Sequence, residues 1–563
     1  MKILKPFLIL LLAIFFIVPS VASAQLADSP WPMIHRDLRH TGLSPYSTAP
    51  LLAIAIIALF LWRKTQALAK VILGLIILLA IGIRLYINFH SHLMPGVNAV
   101  YYPVQVRSLL QKGQLAFPDL PFVFYLEALW AKLLSLLGLC HLQNCIILSS
   151  KIIDALLYPL IAIPTFLLAR TIVGRKGPKW IPLSISALTA ISGFTLIMMA
   201  DFQKNAVGLM FSVFFIYFLY QGTVKGKTIN YLWAGIFFIL TSLTHLGALG
   251  FIIAFSLLFF LFSFITVRER RIDLIKKAVL FLLVLAFAST LLFLFDPERW
   301  KTLFGVIIWP FKIFKEPIII GMLNGQVPAD PPLLSIFIIA NLIAILGLVL
   351  LVAKGKDIPP QEKTLFLTSL SMTFLMAFPF MEAQLANRLW LMAYVPVSLV
   401  VTFLLHYIYR RWLKILLATL ILTVMILPTP VVAIVRGAPS ISEEAYHDLF
   451  KIKNMIDNPD KTLVITRHGL EWWTAWVMEV DVSQAWRLTE EGIKDYEDIY
   501  YLKQKSGQGN FGPFGPGGPP FPEAEIPPQA KIVYEDEFFI LAKALPGFLQ
   551  YYQKEKRGEE ENE

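Results

Sequence analysis

The feature that most restricts this chain is a series of long apolar runs separated by polar loops, most of them about 17–25 residues long and so matched to a bilayer core. They fall at roughly 49–63, 69–88, 147–170, 181–200, 206–222, 230–245, 246–266, 278–295, 334–353, 365–381, 389–408 and 413–434. The first is short, and 230–266 can be divided in other ways. Over 563 residues the chain is 57% apolar and only 15% charged, with a mean hydropathy of +0.67. A water-soluble fold would lack the charged surface it needs. The predicted fold class is an all-α polytopic membrane protein of about 12 transmembrane helices after a signal peptide, with a small extracytoplasmic α/β domain at the C-terminus.

Basic residues recur in every second loop: Arg63/Lys64, Arg175/Lys176/Lys179, Lys225/Lys227, Arg268 to Lys277, Lys354/Lys356/Lys363 and Arg410/Arg411/Lys414. This is the positive-inside pattern, which puts those loops in the cytoplasm. The net charge of +11 is thereby accounted for by topology, and no aromatic-basic platform or zinc-knuckle spacing points to nucleic acid. Residues 121–139 are apolar enough to resemble a span, but counting them would invert every later loop. With Glu127 and Lys132 among them, they read as a helix lying on the outer membrane surface. The large loop 89–146 is then extracytoplasmic, as are the turns near Asp201 and His245, the loop 296–333, the turn 382–388 and everything beyond about residue 436.

The ends differ in composition from the body. Residues 1–24 read as a signal peptide, with Lys2 and Lys5, an apolar stretch from Leu8 to Val18 and an Ala22-Ser23-Ala24 cleavage site; an uncleaved anchor is the alternative. Residues 25–48 form an extracytoplasmic stub in which "DSPWPMIHRDLRHTGLSPY" is similar to the opening of secreted propeller proteins of the pyrroloquinoline-quinone type. The tail, 436–563, carries strand-like "TLVIT", "DIYYLKQK" and "AKIVYEDEFFILAKAL", an aromatic helix "LEWWTAW" and a Gly/Pro-rich loop at 506–528. His468-Gly469 in the tail reads as a turn or, alternatively, a site. Cys140 and Cys145 are the only cysteines; a local disulfide and two free thiols are both open.

Few ionisable groups lie within the spans: Arg84 near one end, and Lys151 and Asp154 early in another. A coupled transporter places charges near the midplane, so this scarcity argues against transport of lipid or polymer. Polar residues gather instead on the extracytoplasmic side: His90, His92, Asn98, Tyr101, Tyr102, Arg107, Asp119, Asp201, Lys204, His245 and Arg388.

The multispanning body, the Pro-Gly-x-x-x-x-Tyr-Tyr segment at 95–102, the "FPDLPFVFYL" surface helix and the soluble tail resemble the GT-C glycosyltransferases over about residues 69–434. That resemblance implies a polyprenyl-phosphate-linked sugar as donor, a glycan, lipid or protein acceptor, contact with membrane lipid and a bacterial or archaeal cell membrane. It also implies an acid in the first outer loop acting as base toward the acceptor. After Pro95-Gly96 the chain offers Val97 and Asn98, and an amide cannot take that proton. The acid is then expected from Asp201 or Asp119, with Asn98, Tyr101, Tyr102, Arg107, Lys204 and Arg388 as binding residues and Arg388 facing the donor phosphate. Each has a structural alternative: Asp119 as cap of the surface helix, Asp201 as a local partner of Lys204, Arg388 as a snorkelling side chain. His90, His92 and His245 with Asp201 form a possible divalent-metal set, or hydrogen-bonding histidines at the interface. If neither acid serves, the alternative is a non-catalytic protein that binds a lipid-linked sugar.

Overall fold

The computed structural model describes residues 67–174, 177–267, 271–295, 331–381, 383–426, 429, 432, 437–484, 488, 490–505, 511–512, 515–516 and 525–545. The expected signal peptide, the propeller-like stub, the first span at 49–63, the loop 296–333 up to residue 330 and most of the 506–528 stretch lie outside the described residues. Each of the other expected spans overlaps a helix over at least part of its length. Among the described residues six helices are long and apolar enough to cross a membrane: Leu68–Phe89, Leu142–Val173, Gln203–Lys225, Leu246–Thr266, Leu334–Lys354 and Arg388–Tyr407. Trp180–Leu196 and Thr228–Ser242 are shorter apolar helices. The chain is an integral membrane protein with a mostly helical body.

Two spans depart from straight helices. Leu142–Val173 tightens into a 3-10 turn at Tyr158–Ile161, where Pro159 supplies no amide hydrogen. The expected span 181–200 is helical only to Ile191; Ser192 is extended (φ −58°, ψ 146°) and a single turn, Gly193–Leu196, follows. The Ser192-Gly193 pair stops the helix, and residues 197–202 become a turn that carries Asp201.

The 121–139 segment is a 15-residue helix, Phe122–Leu136, packed on helices Tyr101–Lys112 and Leu142–Leu157. Its start is tied to the Thr244-His245 turn by the Phe122 amide, which donates to Leu243 O at 3.1 Å. Lys132 is exposed as expected, but Glu127 is fully buried and accepts from Ser150 Oγ at 2.8 Å. Apolar neighbours alone would have left that carboxyl stranded, and the hydroxyl of the adjacent span is its partner. A Cys140–Cys145 disulfide closes the link to the next span.

The tail holds a five-stranded sheet: β1 (Thr462–Thr466), β2 (Asp481–Ser483), β3 (Asp498–Gln504), β4 (Lys531–Glu535) and β5 (Phe539–Lys543), ordered β2-β1-β3-β5-β4. β1 is parallel to both β2 and β3, with Val464 level with Val482 and Tyr500, and is buried along its whole length. Helix Glu443–Lys453 precedes the sheet, capped by Ser442 Oγ. Helix Leu470–Met478 links β1 to β2 and packs on the Tyr101–Lys112 helix of the long loop. β2, only three residues long, gave no sequence signal of its own.

Candidate functional site

The 94–98 turn and the 199–201 turn meet through one carboxylate. Asp201 Oδ1 accepts from the Val97 amide at 2.7 Å and the Asn98 amide at 2.6 Å. Gly96, at φ +81°, lets the backbone come this close: a Cβ there would stand 2.5 Å from Asp201 Oδ1. On the other side, Ala200 has a φ of 63°, which costs an L-residue about 1 kcal/mol. The contact uses backbone amides only, so it is indifferent to which side chain stands at position 98.

Asp119 sits beside this junction in a different setting. Its Oδ2 accepts from Lys204 Nζ and from Tyr101 Oη, and its Oδ1 from the Leu120 amide at 2.7 Å. It is therefore not the cap of the surface helix; Pro121 occupies that position and no side chain caps it. Lys204 turns to Asp119 and also lies over the rings of Tyr101 and Phe124. Tyr102 is buried and accepts from the Lys204 amide at 3.1 Å; its phenol is pushed upward by burial. Its ring packs beside Phe124 with the centroids 5.7 Å apart.

His245 caps helix Leu246–Thr266, its Nδ1 accepting from the Ala248 amide at 3.2 Å. Burial, reinforced by Lys204 and also by Arg388, presses its pKa down to about 3, so the ring is neutral. The same interaction locates Arg388: exposed at the start of the Arg388–Tyr407 span, within electrostatic reach of His245. Asp119, Asp201, Lys204, His245 and Arg388 thus share one end of the bundle.

Two expected binding residues serve the tail. Arg107 is buried, donates to Trp476 O and Ala475 O at 2.6 Å each, and lies 4.8 Å over the Trp476 ring. A guanidinium held by two carbonyls at a helix C-terminus anchors the loop to the tail. Asn98 Oδ1 accepts from Trp472 Nε1 at 2.9 Å, while Tyr101 meets Trp472 edge-on. Gly469, at φ +89°, is pressed against Val97, and the Gly96 amide donates to Ala438 O at 2.9 Å. Trp472 is the residue the sequence reading missed; "LEWWTAW" identifies an aromatic helix, not its partner. His468 belongs to a turn, with Nδ1 2.9 Å from Glu471 Oε1.

The metal set is not assembled. Among the described residues no group of three or more His, Cys, Asp or Glu is placed to hold a metal ion. His90 is exposed at the end of the Leu68–Phe89 span, near Tyr86; His92 contributes its carbonyl to Lys151; His245 spends Nδ1 on its helix.

These features define an integral membrane protein with a polar junction at one end of its bundle, clasped by a small α/β tail. No family model and no curated protein matches the chain. Among solved structures it is similar to the Archaeoglobus fulgidus oligosaccharyltransferase in complex with zinc and sulfate, at 12% identity over 76% of this chain and 67% of that one (TM-score 0.47). It is also similar to ArnT from Cupriavidus metallidurans bound to undecaprenyl phosphate, at 12% identity over 89% and 99% of the two chains (TM-score 0.49). The apo form of that ArnT matches at 12% identity over 83% and 97% (TM-score 0.46).

Proposed function

We propose that the chain is a GT-C-type glycosyltransferase that moves a sugar from a polyprenyl-phosphate donor to an extracytoplasmic acceptor. The observation that carries this reading is the Asp201 carboxylate, held by two loop amides at the bundle end that also presents Lys204 and Arg388. The acceptor oxygen attacks the anomeric carbon, the bond from that carbon to the phosphate oxygen breaks, and the acceptor's proton passes to Asp201. Arg388 offers its fork of donors to the departing polyprenyl phosphate. Asp119, engaged by Lys204 and Tyr101, orients that lysine and is not the base.

The test is turnover of radiolabelled polyprenyl-phosphate sugars by the full chain in lipid. Asp201→Asn is expected to lose at least about a hundredfold in kcat, and Arg388→Ala to weaken donor binding. Asp119→Asn is expected to lose less. Full turnover in Asp201→Asn removes the assignment. Asn98, standing where the family carries its loop acid, favours a second reading as a non-catalytic binder of lipid-linked sugar; donor binding without turnover in the wild type would establish it.

Sidedness is part of the proposal and has its own test. Both native cysteines are in the disulfide, so single cysteines can be introduced cleanly. Replacements at Gln111 and Lys531 should react with an impermeant thiol reagent on intact cells, whereas one at Lys227 should not. Labelling at Lys227 would reverse the topology.

A further inference from the structure

One helix lies behind both halves of the Asp201 junction. In Leu142–Leu157, Lys151 and Asp154 are three residues apart and therefore share a face. Asp154 Oδ2 accepts from the Ala200 amide at 3.3 Å, the residue at φ 63° immediately before Asp201. Lys151 Nζ donates to the carbonyls of Ser91, His92 and Leu93 at 2.9, 3.1 and 3.0 Å, just before the turn whose amides hold Asp201.

Asp154 is itself fixed from two sides. Arg84, fully buried, pairs with Asp154 Oδ1 at 3.4 Å and donates to Thr195 O at 3.0 Å, and its guanidinium lies over the Tyr158 ring. Asn88 donates to Asp154 Oδ2 at 3.1 Å. A buried ion pair in a membrane bundle is expensive, and an apolar pair of the same volume would pack as well. What an apolar pair could not do is accept the amide of a residue held in the left-handed region.

We propose that Asp154, set by Arg84 and Asn88, and Lys151 are positioning residues for the site: Asp154 holds the Ala200–Asp201 turn and Lys151 holds the segment that enters the 94–98 turn. This rests on the reading that Asp201 is the reacting group.

The assay is the donor-turnover measurement on the full chain in lipid, with the thermal midpoint recorded for every variant. Asp154→Asn and Lys151→Gln are expected to lower kcat by about tenfold to a hundredfold, with the donor KM within about twofold. Glycine takes a positive φ without the Cβ penalty, so adding Ala200→Gly to Asp154→Asn should return several-fold of its loss relative to Ala200→Gly alone. It should return none of the Lys151→Gln loss, because Lys151 acts on the other segment. A purely structural ion pair predicts no such selectivity. A folded Asp154→Asn with wild-type kcat, or a loss that Ala200→Gly leaves unchanged or restores equally in both, overturns the proposal. If Asp154→Asn does not fold, Asn88→Ala, which removes only a neutral donor, is judged by the same criteria. Full activity in Asp201→Asn defeats the functional reading instead, and wild-type kinetics in Asp154→Asn alongside an inactive Asp201→Asn defeats only the positioning.

Discussion

The long loop is held from two directions, and the two attachments use different chemistry. Toward the membrane body, residues 96–98 are fastened through their backbone: a close-packed glycine and two amides on Asp201. Toward the tail, the loop is fastened through side chains: Arg107 to the end of helix Leu470–Met478, Asn98 to Trp472, and Val97 against Gly469. The first attachment constrains conformation and tolerates many side chains. The second constrains side chains and tolerates small movements of backbone. A position such as Asn98 takes part in both, through its amide on Asp201 and its side chain on Trp472.

The first attachment should break most severely at its glycine. Gly96→Ala puts a Cβ 2.5 Å from Asp201 Oδ1 on a residue with φ +81°, so the turn must swing away from the carboxylate. Turnover should fall by at least about a hundredfold, read as kcat in lipid, while the tail contacts survive. The second attachment should break most severely at Arg107. Burial lowers the pKa of its guanidinium, yet it remains charged and donates to two carbonyls. Arg107→Ala should cost about 3 kcal/mol of tail docking, seen as faster hydrogen exchange in residues 470–478. Arg107→Lys should recover little, because an ammonium cannot span both carbonyls and stack on Trp476. Unchanged exchange in Arg107→Ala would mean that the clasp lies elsewhere.

What the sequence disclosed follows the same division. A bilayer demands long apolar segments, so the positions of the spans were legible, and the loop charges placed Asp201, His245 and Arg388 at a common end. The stop at Ser192 was announced by a Ser-Gly pair inside an otherwise apolar run, a signal outweighed by hydropathy. Arg107 could not be read, because its partners are backbone carbonyls 368 and 369 residues away, and carbonyls leave no mark in a sequence. The metal set failed for a local reason: a histidine preceding a helix can serve as its cap, and His245 does.

Glu127 sharpens the body side through pH. Burial raises its carboxyl from 4.5 to about 8, against which the Ser150 hydroxyl is only a partial offset. Below pH 4.5 the group is protonated folded or unfolded. Between 4.5 and 8 the unfolded chain releases the proton that the native carboxyl keeps, so stability falls as pH rises, and above 8 this contribution levels off. Glu127→Gln cannot titrate. Its thermal midpoint should match the wild type near pH 5 and exceed it near pH 8.5, by about 2 kcal/mol equivalent once water penetration is allowed for. Parallel midpoint–pH curves would show that Glu127 is ionised in place.

The smallest effect tests the residue that belongs to both attachments. Asn98→Leu loses the acceptor for Trp472 Nε1, about 1 kcal/mol, but leaves the residue 98 amide on Asp201, so tail exchange should quicken while kcat changes little. Asn98→Asp keeps the acceptor and adds a carboxylate on the residue whose amide already binds Asp201. Two neighbouring carboxylates resist joint ionisation, so the acidic limb of kcat/KM should move upward. The decisive form is Asn98→Asp placed in Asp201→Asn, where a loop acid replaces the body acid. Recovered turnover would mean that the reacting geometry belongs to the turn and that a carboxylate on either side can serve it. No recovery would mean that the loop at 98 is aimed at Trp472 and the tail, leaving the proton to the carboxylate that the backbone of this turn already holds.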